Sequence, residues 1–197
     1  MARCYSMGVP IRPSSLPSVW LVSDARNDAK LETVLARLPR GSGLIFRHYH
    51  LDEAARRARF RALARIARKG GHRVVLSGDA RQARRWGADG AYGALRLLAK
   101  GPAGLRIVTA HSLREIGEAH RSRADAVLLS PVFPTRSHPG APALGPVRFR
   151  LLAARAGLPV IALGGMDRHR AQWLKAGKWA AIDGICGRAT RRIPVDS

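Results

Sequence analysis

His111 is the side chain in this sequence best suited to moving protons. It lies in the segment TAHSL (109–113). An imidazole takes up and releases protons near neutral pH, which makes His111 a candidate catalytic acid or base. A structural role explains the residue equally well, because His111 stands next to Ser112, a candidate N-cap for a helix over 112–120.

Two glycine turns predict a site for a phosphate group. The segments ALGGMD (162–167) and AIDGICG (181–187) each follow an apolar run. Glycine allows backbone N–H groups to approach an anion closely, and a helix that begins after such a turn presents the positive end of its dipole. A tight turn explains one such segment just as well, but two of them together favour phosphate binding. The candidate binding residues are Gly164, Gly165 and Gly184.

A rigid polar loop precedes these turns. SPVFPTRSHPGAPALG (130–145) combines prolines, glycines and hydroxyl side chains directly after an apolar run. Thr135, Ser137 and His138 could each donate a hydrogen bond to phosphate oxygens, and the prolines would reduce the entropy lost on binding. A stiff surface turn is the structural alternative. We favour a ligand-binding loop, because long polar loops of this kind often carry function.

No metal site is predicted. His48 and His50, in FRHYH (46–50), have the spacing of metal ligands, but no acidic residue or cysteine accompanies them. A zinc site needs further ligands of these types.

The elements that must position these residues are β/α units. Short β-rich apolar runs alternate with helical patterns, and the runs are apolar throughout, which indicates parallel strands covered on both faces. Eight strands predict an α/β fold, a single-domain (β/α)8 TIM barrel, with a doubly wound open sheet as the rival. The predicted strands are 19–23, 43–47, 73–77, 89–92, 105–110, 124–130, 159–165 and 179–183, and the predicted helices are 28–38, 53–69, 80–86, 112–120, 146–156 and 168–176, with no clear helix after the fourth strand.

The same pattern sets the domain boundaries. Residues 1–17 are interpreted as a flexible N-terminal tail and residues 18–197 as the barrel. The segment 186–197 is too short and too broken by Pro194 for a full closing helix, so the last helix is predicted to be truncated or missing. A partner subunit could complete that end, which leaves room for a homo-oligomer.

A barrel of this type binds ligands at the carboxyl ends of its strands, often with a phosphate after the seventh and eighth. His111, the polar loop and both glycine turns are therefore predicted to meet at one end of the barrel.

The charge of the chain is strongly positive. It has 35 lysines and arginines against 13 acidic residues, a net charge of +22, which can indicate nucleic-acid binding. The arginines of 53–71, however, surround a helix whose apolar stripe passes through Phe60, and Arg56, Arg59 and Arg61 are predicted to point away from it. No aromatic side chain is interleaved with them as a platform for stacking bases. A solvated helix surface is therefore favoured over a nucleic-acid site.

The remaining features predict a cytoplasmic protein without membrane contact. No run of about 18 apolar residues predicts a membrane span, and the N-terminal segment lacks the apolar core of a secretory signal. Cys4 and Cys186 are too few for a disulfide scaffold and suit a reducing compartment.

The polar loop and PVIALGGM (159–166) resemble the thiamine phosphate synthase/TenI family. In that family the loop reads approximately (G/S)PVFPTxSKPGAPPxG, and the seventh strand ends PVxAIGG(I/M). VWLVSD (19–24), TAHSL and GADG (87–90) match further segments of the family pattern. The resemblance extends from about Ser18 to Cys186. It implies a TIM barrel that binds small phosphorylated thiamine precursors.

One motif of the synthases in this family is altered. Their QLRxK after the second strand, which the resemblance assigns to the pyrimidine pyrophosphate, becomes IFRHY. This keeps Arg47 but places Ile45 and Tyr49 where the glutamine and lysine are expected. The family's lysine in the polar loop is His138 here.

The magnesium ligands that the resemblance implies change as well. The Asn-Asp pair after the third strand is replaced by Ser77 and Gly78, with Asp79 one place later, and AYGALRLL (91–98) has no acidic residue. Magnesium binds through carboxylates, and a leaving pyrophosphate needs that cation. No cofactor is therefore certain, and Mg²⁺ is expected only if synthase activity is retained.

The family resemblance implies thiamine phosphate synthesis first, the joining of thiazole phosphate to the pyrimidine pyrophosphate. TenI-type thiazole tautomerisation, with His111 as acid and base and without a metal, is an equal alternative, and a catalytically silent phosphate-ligand sensor is another. Arg47 and Thr109 join the loop and the glycine turns as binding residues. Asp183, where the family has a serine beside the phosphate, needs a cation such as Arg188 to offset its charge.

Overall fold

The fold is a closed barrel of eight parallel strands. The computed structural model describes residues 16–98, 101–137, 140 and 142–185. Each strand pairs with the next along the chain, and the eighth pairs with the first. The predicted single-domain TIM barrel is confirmed, and the open-sheet alternative is wrong. The strands are β1 (Val19–Val22), β2 (Gly43–Phe46), β3 (Arg73–Ser77), β4 (Gly90–Gly93), β5 (Leu105–Ala110), β6 (Ala126–Leu129), β7 (Val160–Ala162) and β8 (Trp179–Ala181).

Seven α-helices follow β1 to β7, and within the described residues no helix follows β8. The predicted helix at 28–38 is divided into a 3-10 helix, Ala25–Lys30, and α1. A short α4, which the sequence did not clearly indicate, follows β4. No helix in the described part of the chain combines the length and the apolar character needed to cross a membrane. The helices are α1 (Leu31–Arg37), α2 (Glu53–Lys69), α3 (Ala80–Trp86), α4 (Leu95–Leu98), α5 (Leu113–Arg121), α6 (Gly145–Ala154) and α7 (Arg168–Leu174).

The apolar strands are buried on both faces, as their sequences predict. One face packs against the surrounding helices. The other fills the barrel interior, where Trp20 and Tyr92 are the largest side chains. Gly43, opposite Trp20 in the β1–β2 ladder, makes room for the indole, because a Cβ at this position would overlap the ring. The interior is therefore a packed core with no channel through it.

The arginines of α2 serve two different purposes. The predicted apolar stripe is confirmed, since Phe60 and Leu63 are buried, and Arg61 is exposed as expected. The prediction is wrong for Arg56 and Arg59, which are half-buried and bind other parts of the chain. Arg56 donates to the backbone carbonyl of Arg47 after β2 and to that of Ser77 at the end of β3. Arg59 pairs with one carboxylate of the 3-10 helix and one of α1. Part of the positive charge thus supports the loops around the barrel end.

Asn27 holds the seam between β1 and β8 at the carboxyl ends of both strands. Its side-chain N–H groups donate to the carbonyl oxygens of Val22 (2.9 Å) and Ile182 (3.0 Å). Its Oδ1 accepts the backbone N–H of Asp24 at 2.9 Å, which completes a capping box at the start of the 3-10 helix. Asn27 is 2% exposed and is the single asparagine of the chain. One buried, fully engaged amide thus reinforces the β1–β8 pairing that closes the barrel.

We expect Asn27→Asp to lower the free energy of unfolding by about 3 kcal/mol, because two buried carbonyl oxygens lose their donor and face a carboxylate. The control is Gln172→Glu, the same change on the exposed surface of α7, which should alter that free energy by less than about 0.5 kcal/mol. Denaturant unfolding of both variants measures the difference. Equal effects of the two changes would show that the seam does not depend on Asn27.

Candidate functional site

A cavity of about 640 Å³ opens at the carboxyl ends of the strands, within the size range of pockets for small ligands. The predicted site residues that the structure describes all line it, although their functions remain predictions. His138 lies outside the described residues, as do Cys186 and Arg188. The predicted residues around the cavity are Arg47, Thr109, His111, Thr135, Ser137, Gly164, Gly165 and Gly184.

His111 combines the two roles that its sequence context left open. Ser112 caps α5 by accepting the backbone N–H of Glu115, whose carboxylate accepts the backbone N–H of His111 at 2.7 Å. The ring faces the cavity, and its Nδ1 lies 2.6 Å from the carbonyl oxygen of Ser130. Because a carbonyl only accepts, Nδ1 carries the proton, and Nε2 of the neutral ring keeps its lone pair.

The glycines after β7 are required first by packing. Gly164 (φ 97°) and Gly165 (φ 60°) adopt the left-handed backbone that favours glycine. A Cβ at Gly164 would lie 2.6 Å from Cα of Pro131, and one at Gly165 would lie 2.9 Å from Cβ of Phe133. Within the described residues no acceptor binds the N–H group of either glycine. The turn thus fits closely against the polar loop and still offers two donors to an anion.

Arginines that the sequence analysis did not single out line the same cavity. Arg136 and Arg170 face it, and Arg170 donates to the carbonyl of Gly165 while its guanidinium lies 4.8 Å from the centre of the Phe133 ring. Asp167 caps α7 by accepting the N–H of Arg170 at 2.8 Å. The helix start therefore already has a negative partner, and the dipole adds less to phosphate binding than the sequence predicted.

Arg26 is the cation that offsets Asp183. Its guanidinium lies 3.4 Å from Oδ2 of Asp183, donates to Oγ of Ser137 at 2.7 Å and donates to Asp24 at 2.9 Å. Partial burial acts to raise the pKa of Asp24, but the hydrogen bonds and charge of Arg26, with the charge of Arg47, hold it below its usual value. Arg26 thus ties together the loops after β1, β6 and β8. The sequence analysis expected Arg188 or another cation in this role, and Arg188 lies outside the described residues.

A chain of hydrogen bonds positions Arg47 at the end of β2. The backbone N–H of Arg47 donates to Oγ of Ser23 at 2.8 Å, and that hydroxyl lies 2.8 Å from Nδ1 of His48. Nε2 of His48 lies 2.7 Å from Oδ1 of Asp28, a carboxylate that also accepts from Arg59. A neutral His48 satisfies this chain, with Ser23 donating to Nδ1 and Nε2 donating to Asp28.

His48 is therefore a buried residue, and both of its ring nitrogens are engaged within the protein. Its ring stacks on Phe46 with centroids 4.7 Å apart, and the ring of His50 lies 5.2 Å away. In the parts of the chain that the structure describes, no group of three or more His, Cys, Asp or Glu side chains could hold a metal ion.

The residues after β3 and β4 do not fit a magnesium ion. The carboxylate of Asp79 accepts the N–H of Gln82 at 2.7 Å and so caps α3. The hydroxyl of Ser77 is bound to that of Tyr49, and β4 ends in Tyr92 and Gly93, which bring no carboxylate. Among the described residues after β3 and β4, none brings to the cavity the carboxylates that magnesium prefers.

The fold and the cavity define a class of protein, a β/α barrel with an open cavity at the carboxyl ends of its strands, where barrels of this fold bind their ligands. Within that class, the family model described as "Thiamine monophosphate synthase" (TMP-TENI) matches residues 19–187. The chain belongs to this family, which confirms the resemblance read from its motifs.

Individual relatives agree with this assignment. A protein of Aquifex aeolicus named "Putative thiamine-phosphate synthase 2" is 40% identical over 58 residues, which are 29% of this chain and 31% of that relative. The structure of thiamine phosphate pyrophosphorylase from Pyrococcus furiosus superposes with a TM-score of 0.71 at 21% identity, over 88% of each chain. That from Bacteroides thetaiotaomicron gives 0.58 at 14% identity, over 91% of this chain and 89% of the other. At such identities the structures show a shared fold.

We expect Arg26→Gln to weaken the binding of inorganic phosphate about fivefold, because Asp183 then stands beside the glycine turns without its cation. Arg26→Gln combined with Asp183→Asn should recover most of the affinity, since both charges are gone. Titration calorimetry measures the three affinities. Arg114→Gln, which breaks the exposed pair with Glu118 on α5, is the control. Equal losses in the single and the double variant would contradict this role of Asp183.

The pH dependence of stability should report on His48. Burial holds its pKa below the ordinary value, against the hydrogen bond and charge of Asp28. The folded protein then keeps His48 neutral where the unfolded chain binds a proton, so stability is lost as the pH falls below about 6.5. We expect a smaller loss between pH 7 and pH 5 for His48→Gln, measured by denaturant unfolding. His169→Gln, at an exposed position of α7, is the control and should keep the wild-type slope; identical slopes for all three proteins would contradict the assignment.

Proposed function

We propose that this protein isomerises a small thiazole phosphate by proton transfer through His111, without a metal ion. The observation that carries the proposal is the orientation of His111. Its Nδ1 is committed to the carbonyl of Ser130, which leaves Nε2 as the basic atom of a ring that lines the cavity. We also propose that the reaction takes place in the cytoplasm and that its substrates are phosphorylated thiamine precursors.

Substrate binding would begin with the phosphate. The N–H groups of Gly164 and Gly165, which no described residue binds, would donate hydrogen bonds to it, and Arg136 and Arg170 supply positive charge at the same cavity. A ring attached to this phosphate would lie in the cavity that His111 also lines.

The chemical step conserves atoms and electrons. Nε2 of neutral His111 takes a proton from one carbon of the conjugated ring system, and the electron pair left behind moves into that system. The imidazolium then returns a proton to another carbon, so that a double bond has shifted and His111 is neutral again. The Ser130 carbonyl and the nearby carboxylate of Glu115 favour the transient positive charge on the ring.

Thiamine phosphate synthesis is the second candidate, and family membership favours it. That reaction must stabilise a leaving pyrophosphate. The residues after β3 and β4 do not fit the magnesium ion that would do so, which leaves Arg47 and the other cavity arginines as the charges that could replace it.

We expect His111→Ala to lower the kcat of thiazole tautomerisation at least about a hundredfold and to leave the affinity for the aromatic thiazole phosphate within about threefold, because the histidine acts on the proton and not on the phosphate. The assay follows ring aromatisation by ultraviolet absorbance. His169→Ala, on the exposed surface of α7, is the control and should keep wild-type rates.

Parallel assays separate the alternatives. One assay supplies thiazole phosphate, the pyrimidine pyrophosphate and Mg²⁺ and measures thiamine phosphate. If the protein forms thiamine phosphate but does not tautomerise the thiazole, the proposed isomerisation is wrong and the synthase reaction is correct. Ligand binding without activity in either assay would identify a sensor and would equally overturn it.

A further inference from the structure

A row of four arginines follows one side of α2. Residues three and four positions apart in a helix lie on the same side, and the row has this spacing: Arg57, Arg61, Arg65 and Arg68. The guanidinium of Arg68 donates to the backbone carbonyl of Gly87 at the end of α3, so this side of α2 faces α3. At a rise of 1.5 Å per residue, the arginine row forms a basic edge about 16 Å long.

The arginine row has no negative partner in the part of the chain that the structure describes. The side chains of Arg57, Arg61 and Arg65 are exposed and make no ion pair or hydrogen bond there. On another side of α2, by contrast, Arg59 binds two carboxylates. Like charges four positions apart repel each other and destabilise a helix. An anion bound along the row would remove this repulsion.

The chain around the arginine row is almost free of acidic residues. From 54 to 88 the sole acidic residue is Asp79, and its carboxylate is engaged in capping α3. The basic residues of α3 are exposed as well, namely Arg81, Arg84 and Arg85. The helices α2 and α3 therefore present a positive surface, and the partner that complements such a surface is a polyanion.

A membrane does not suit this surface. Helices that lie on a membrane bury large apolar side chains in the lipid beside their basic ones. Among the described residues, the large apolar side chains that are exposed all lie outside α2 and α3. Those of α2, Phe60 and Leu63 among them, pack in the core of the protein. The surface can therefore attract an anion only through its charge.

Duplex DNA is the polyanion that fits best. Single strands are held by aromatic side chains on which their bases stack, but Phe60 and Trp86, the aromatic residues of α2 and α3, are buried. Duplex RNA is recognised largely through its 2′-hydroxyl groups. The exposed neutral residues of α2 have no polar side chain for this purpose, since all are alanines: Ala54, Ala55 and Ala58. Phosphates of duplex DNA accept hydrogen bonds from arginine without such further contacts.

We propose that the arginine row of α2 binds the phosphate backbone of duplex DNA without reading its sequence. The sequence analysis favoured a solvated surface because no aromatic side chain is interleaved with the arginines, but contacts to a duplex backbone do not require one. Guanidinium groups suit this role because they donate two hydrogen bonds to one phosphate. The row does not line the cavity, so this binding goes beyond the proposed function and does not depend on it.

The test measures the binding of a fluorescently labelled DNA duplex by anisotropy at two salt concentrations. We expect the affinity of the wild-type protein to fall at least fortyfold between about 50 and 200 mM salt, because each neutralised phosphate adds about 0.9 to the slope of log K against log salt. Arg57→Gln, Arg61→Gln and Arg65→Gln combined should weaken binding at the lower salt at least about tenfold and reduce that slope by about 3. Arg68 is kept because it joins α2 to α3.

The control combines Arg121→Gln, Arg148→Gln and Arg155→Gln, which remove the same charge from exposed positions of α5, α6 and the end of α6. It should bind DNA as the wild-type protein does. Equal losses in the two combined variants would show attraction to net charge alone and would overturn the proposal. Tighter binding of a duplex RNA or a single strand of the same sequence, or of phosphatidylglycerol vesicles, would overturn it too.

Denaturant unfolding checks that the combined variants fold. The α2 variant should be at least as stable as the wild-type protein, because it loses repulsion between like charges at exposed positions. If it does not fold, Arg61→Gln alone takes its place, with an expected reduction of the salt slope by about 1. An unchanged slope in that single variant would contradict a phosphate contact by Arg61.

Discussion

Closure of the barrel at the β1–β8 seam is the constraint on which the rest of the structure depends. The two strands are short, and the amide of Asn27 joins their carboxyl ends by binding Val22 and Ile182. The same ends carry Asp24 and Asp183, which Arg26 then connects to the polar loop. If this seam opened, the loops after β1, β6 and β8 would no longer be held together. The glycine turns and His111 would then no longer line one cavity.

The two sides of the cavity carry different chemical groups. On one side, backbone N–H groups and arginines face the space after β7 and β8 and suit a phosphate. On the other, Arg47 and Tyr92 occupy the side where the synthases of the family are expected to hold pyrophosphate and magnesium. The described residues after β3 and β4 bring no carboxylate to the cavity, and Asp79 serves as a helix cap.

The sequence predicts what depends on local pattern and misses what depends on distant partners. The strands were recognisable because both of their faces are buried, and the polar loop and the glycine turns because their motifs are distinctive. Arg26 and Asp183 are 157 positions apart, and Asn27 and Ile182 are 155 apart, so no local pattern reveals their contacts. The DARN segment (24–27) does carry the spacing of a capping box, a signal from which Asn27 could have been recognised. The partial burial of Arg56 and Arg59 was not predicted, because arginines beside the apolar stripe of a helix are usually exposed to solvent.

The hydrogen bond between His111 and Ser130 has a stereochemical consequence for the proposed isomerisation. With Nδ1 held by a backbone carbonyl, the imidazole cannot turn over during a catalytic cycle without breaking that bond. A single nitrogen would then remove and return the proton from one side of the substrate plane. The reaction would be suprafacial, and a hydrogen isotope at the donating carbon would reappear in part at the accepting carbon, on the same face.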